Sequence, residues 1–78
     1  MNYIATFYTQ AAALLTNRAL KKHGVQSKAG PVPRELSSSC GTCVHYTADA
    51  PMLDVLDEDL ESVYEKEAYG YKLLLHHE

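Results

Sequence analysis

Asp49-Ala50-Pro51-Met52-Leu53-Asp54-Val55-Leu56-Asp57-Glu58-Asp59-Leu60-Glu61-Ser62-Val63 is the stretch on which the fold turns. Leu53, Leu56, Leu60 and Val63 are spaced as one apolar stripe of a helix. Pro51 suits a first helical turn, and Asp54, Asp57 and Glu58 suit the positive end of a helix dipole. The spacing predicts a second helix opening at Asp49-Ala50-Pro51. Where it ends is open, because Val63 to Leu74 reads either as more helix and a short strand or as one long tyrosine-rich strand. Tyr69, Tyr71 and Leu73 alternate, so at least Tyr69 to Leu74 is expected to be extended.

Upstream, Tyr3 to Tyr8 places Tyr3, Ala5 and Phe7 on one face and Ile4, Thr6 and Tyr8 on the other. Both faces are largely apolar, which predicts a central strand. Thr9 is a plausible N-cap for a first helix carrying Ala12, Leu15 and Ala19 on its apolar side. Lys21, Lys22 and His23 fall in its last turn and Gly24 supplies the stop. Val25 to Val32 can form a weak second strand, which Gly30-Pro31 ends or interrupts. Cys43 to Thr47 is the third, with Val44 and Tyr46 facing one way and Cys43, His45 and Thr47 the other. The resulting order, β-α-β-β-α-β, predicts a ferredoxin-like α+β fold: a four-stranded antiparallel sheet with two helices on one face. The other face is open to tyrosine packing or to a second copy, a possible homodimer.

The chain has 78 residues, which fit a single domain, 1–78. A chain of this size buries roughly 60% of its unfolded surface, so its margin of stability is thin. The net charge is −3, and Lys21-Lys22 and Lys28 make no cationic cluster, which argues against nucleic acid as a partner. No apolar run reaches the length of a membrane span or signal core, so a cytoplasmic protein without a membrane partner is expected. The acids Asp54, Asp57, Glu58, Asp59 and Glu61 are read as a solvated helix face, with docking of a basic partner as the alternative.

Only two cysteines occur, Cys40 and Cys43, behind the run Pro31-Val32-Pro33-Arg34-Glu35-Leu36-Ser37-Ser38-Ser39. Four chemistries are open to them. Thioredoxin-type exchange needs the leading cysteine at a helix N-terminus, whereas Thr42 to Tyr46 has a strand pattern. Residues three apart in a strand are separated by ~10 Å and a disulfide needs Cα atoms within ~7 Å, so closure requires a turn over Ser39 to Cys43. Gly41 allows one. Zinc needs a second pair of ligands, for which only His23, His45, His76 and His77 are available, and no metal or other cofactor is expected. Burial as a small hydrophobe suits Cys43, inside a strand, better than Cys40 in its serine-glycine loop. Sulfur or selenium carriage needs one accessible thiol on a loop. Backbone amides of Ser38, Ser39 and Gly41 with Arg34 nearby would support its anion, and Cys43 would be a resolving thiol. His45 projects to the same strand face as Cys43.

At these residues the chain resembles the Putative Se/S carrier protein-like family. The likeness rests on Tyr3-Ile4-Ala5-Thr6-Phe7, the alanine- and leucine-rich first helix ending at His23-Gly24-Val25, and above all Pro31 to Gly41. It implies a compact α+β domain whose common cysteine, here Cys40, is the sulfur or selenium attachment point. It also implies partners in a sulfur relay: a TusA-like sulfur carrier, and a cysteine desulfurase or selenium-transfer enzyme. Cys43 stands where the family has an ordinary strand residue, so the resemblance gives it no role. The expectation is a carrier rather than a true enzyme, with a CxxC redox protein or sensor and a non-catalytic interaction module as alternatives.

Overall fold

The computed structural model describes residues 1–77. Its elements are β1 (Asn2–Phe7), α1 (Gln10–Lys22), β2 (Gln26–Pro31), β3 (Thr42–Thr47), β4 (Leu60–Glu67) and β5 (Gly70–His76). They form one sheet in the order β2-β3-β1-β4-β5, with every neighbouring pair antiparallel. β1 is central, as its two apolar faces require, and Tyr3 to Phe7 are all buried.

Local signals set the first helix. Thr9 is extended, and its hydroxyl accepts the Ala12 N–H at 3.1 Å, the expected N-cap. At the far end Gly24 has φ +75°, and the N–H groups of Gly24 and Val25 reach back to the carbonyls of Lys21 and Leu20. That is a Schellman stop, which the left-handed glycine makes possible. β2 then runs parallel to β1, leaving a gap that β3 fills. Ala12, Ala13 and Leu20 of α1 pack onto Tyr3, Ala5, Phe7, Val44 and Tyr46. Leu15, expected on the buried side, is exposed, and Thr16 takes the buried place, its hydroxyl accepting the Asp57 N–H.

The second helix does not form, and the ferredoxin-like expectation is overturned. The described residues form five strands and one helix, and the second βαβ unit is replaced by a β4–β5 hairpin closed at Ala68-Tyr69. Residues 49–59 instead make short turns, with Val55 N–H bonded to the Met52 carbonyl, Leu56 to Leu53 and Leu60 to Asp57. Met52 takes a left-handed φ of 58°, which breaks any helix there. As a helix the segment would set Asp54 against Asp57 and Glu58, and Asp57 against Glu61, all like charges at i,i+3 or i,i+4. The acids therefore lie on turns and at the start of β4 rather than on a helix face.

The apolar stripe has another cause. Phe7 pairs with Leu60 and Thr6 with Ser62, so Glu61 is an extra residue in a β-bulge. The bulge turns Leu60 and Val63 to the same face of β4, three residues apart, and both enter the core. Leu56 joins them from a turn, while Leu53 is exposed.

Candidate functional site

The ten residues between β2 and β3, 32–41, form a loop at the end of the sheet where β1 finishes and β4 begins. Its base is closed by Val32 N–H donating to the Gly41 carbonyl at 3.2 Å, and Leu36 N–H donates to the Pro33 carbonyl at 3.0 Å. Gly41 has φ +73°, which an L side chain would resist. The tip of the loop reaches two other strands. The Ser38 hydroxyl donates to the Phe7 carbonyl at 3.3 Å. The N–H and hydroxyl of Ser39 donate to the two carboxylate oxygens of Glu61 at 3.1 and 3.0 Å.

Cys40 follows directly. It is half-buried, with its thiol donating weakly to the Thr42 carbonyl at 3.4 Å. Cys43 is fully buried on β3 and is not disulfide-bonded to Cys40. Its thiol lies 3.5 Å from the Pro31 carbonyl and 3.4 Å from His45 Nε2. Burial, helped by the nearby Cys40 sulfur, pushes the Cys43 thiol up to about 11. The two thiols thus differ in kind: one is partly exposed on a loop, the other is fully buried in the sheet with its ionisation displaced upward.

Strand register extends the surroundings of Cys43 across the face turned away from α1. Gly30, Cys43, Thr6, Ser62 and His76 occupy successive strands side by side. Ser62 Oγ and His76 Nδ1 are hydrogen-bonded at 2.7 Å. Thr6, between Cys43 and Ser62, is fully buried, and its hydroxyl has no hydrogen-bond partner among the described residues.

Of the residues singled out in the sequence, Ser38, Ser39, Cys40 and Gly41 share one short loop tip, and Cys43 opens the strand behind it. Arg34 is exposed in the turn at Pro33–Leu36. Glu61 was legible only as one acid in a run, because its role depends on the β-bulge that presents it to Ser39. The anion held by the Ser39 amide is therefore a carboxylate of the same chain. His45 lies beside Cys43, as the two-residue spacing on one strand predicts. Among the described residues no three His, Cys, Asp or Glu side chains converge as a metal-ligand set.

No curated protein and no solved structure shows a significant match to the chain. The Putative Se/S carrier protein-like family matches residues 2–67, from the start of β1 to the end of β4 and through the whole Cys40 loop. The chain belongs to that family.

Proposed function

We propose that the protein carries sulfur or selenium on Cys40 and hands it to a partner enzyme. The observation that carries this reading is the contrast between the thiols. Cys40 is the accessible one, on a loop tied at its base, while Cys43 is buried with its ionisation displaced to about 11. In the sulfur case the Cys40 thiolate attacks the outer sulfur of a donor persulfide, R–S–SH. A new S–S bond forms on Cys40, the donor S–S bond breaks, and the donor leaves as the thiolate R–S⁻; no external oxidant or reductant is required. Ser39 and Glu61 hold the loop in place during this exchange.

Cys43 stays outside the loading step. A resolving role or a redox pair would require its thiolate, which burial disfavours. A TusA-like sulfur carrier, and a cysteine desulfurase or selenium-transfer enzyme, are the partner classes that fit this chemistry. No helix among the described residues is long and apolar enough to cross a membrane.

Intact-mass spectrometry after incubation with a small-molecule persulfide donor tests the reading. Wild type and Cys43→Ser should each gain the mass of one sulfur, and Cys40→Ser should gain none. Equal gain by wild type and Cys40→Ser would overturn the assignment of Cys40.

A further inference from the structure

The open face of the sheet carries a second feature, at the end where β1 and β2 begin and β3 finishes. Asn2 of β1, Gln26 and Lys28 of β2, His45 and Thr47 of β3 and Lys66 of β4 surround a groove of about 240 Å³. Ile4, almost fully buried, lies among them as an apolar floor. Lys28 and His45 are direct cross-strand partners, so their side chains leave the sheet on the same face. Lys66 stands on the other side, separated from Lys28 by β3 and β1. Three inter-strand steps put ~14 Å between their backbones, a span that two long flexible side chains can close around a bound molecule.

The charge is unexpected for this chain. It has ten acids against seven lysines and arginines, yet no acidic side chain among the described residues lines the groove. Lys28 and Lys66 are exposed there together with His45. Lys66 also borders a neighbouring pocket with Glu35 and Glu67, so the uncompensated charge of the groove is concentrated at Lys28, and an anion there supplies the missing counter-charge. The rim also supplies neutral donors. The Thr47 hydroxyl donates to Asn2 Oδ1 at 2.7 Å, which orients the Asn2 amide and leaves its nitrogen as a donor.

We propose that this groove binds a small organic polyanion, with two or more carboxylate or phosphate groups on a compact carbon frame. Two walls of positive charge favour at least two anionic groups. The Ile4 floor favours a carbon frame over a bare ion. The volume of about 240 Å³ limits the ligand to a small molecule. Nucleic acid is disfavoured, since two lysines cannot neutralise a run of phosphates on a protein of net charge −3.

The test uses the full chain, titrated at constant ionic strength with citrate as the carboxylate probe and a sugar bisphosphate as the phosphate probe. Backbone amide shifts and calorimetry are read together. At least one probe should bind saturably, with its largest shifts at Ile4, Lys28, His45 and Thr47. Lys28→Ala and Lys66→Ala should each weaken that binding about tenfold, the size expected for a lost charged hydrogen bond. Lys22→Ala, on the far side of α1, should leave it unchanged. Failure of both probes, or equal loss in Lys22→Ala, would overturn the proposal. So would binding of a glutamate-rich peptide without either probe, which assigns the groove to an acidic protein segment. Cys40→Ser should bind like wild type, so the outcome is independent of the carrier reading.

Discussion

Thr6 and Cys43 are neighbours on β1 and β3, and both place polar atoms where water does not reach. The Thr6 hydroxyl is buried without a partner, a condition that costs about 1–3 kcal/mol. Thr6→Val keeps the shape and removes the orphaned group. It should therefore raise stability by about 1 kcal/mol, read as a higher urea midpoint at unchanged slope. A lower midpoint would mean that the hydroxyl has a partner, such as bound water. Cys43 makes a different prediction, in pH. Its thiol ionises near 9 in an exposed setting and at about 11 when folded, so between those values the folded state keeps a proton that the unfolded chain loses. The associated stability is complete below pH 9 and disappears as pH rises through 11. The slope is at most about 1.4 kcal/mol per pH unit, before solvent screening reduces it. Tyr46, also raised by burial, adds loss of the same sign above its ordinary value of 10.0. Urea midpoints measured from pH 9 to 10 should fall in wild type and fall less in Cys43→Ala. Parallel curves would show that Cys43 does not carry the alkaline loss.

At the scale of elements, the loop that presents Cys40 is secured by β4 rather than by the strands it connects. Glu61 leaves the regular ladder at the bulge and takes both donors of Ser39. These bonds are exposed, so their removal should leave global stability within ~1 kcal/mol while freeing the loop locally. Glu61→Ala should speed amide exchange at Ser39 and raise the rate of Cys40 alkylation several-fold. Unchanged rates would show that Ser38–Phe7 and Val32–Gly41 hold the loop unaided. α1 stands at the opposite pole of legibility. Its cap at Thr9 and its glycine stop lie within the segment they organise, and the helix is found where they put it. Its buried side, however, is Ala12, Ala13, Thr16 and Leu20 rather than the side of Leu15, which is exposed. The segment from Asp49 to Val63 has equally clear periodicity but a different meaning. A β-bulge makes residues three apart share a face, and the sequence alone does not distinguish that from a turn of helix.

Across the whole molecule, the described residues form a five-stranded sheet covered on one face by one helix, α1, and by the turns of residues 49–59. Tyr3 and Tyr46 stack on the covered face with ring centres 5.3 Å apart. β5 lies beyond the residues matched by the family and adds an edge strand whose Leu73 is exposed and whose Leu75 packs on the core. The open face divides by chemistry: the buried row of Cys43, Thr6 and Ser62 lies where β3 begins and β1 finishes, and the basic groove lies where β1 and β2 begin. By itself the sequence determined the central strand, the capped helix, the alternation of β3 and the loop that ends in Cys40. Each depends on interactions between residues close along the chain. Tertiary structure decided that Leu60 and Val63 belong to a strand, that Glu61 anchors Ser39, that Cys43 is sealed away and that Lys28, His45 and Lys66 share a groove. Those outcomes depend on strand order and on one bulge, which bring together residues far apart in the chain.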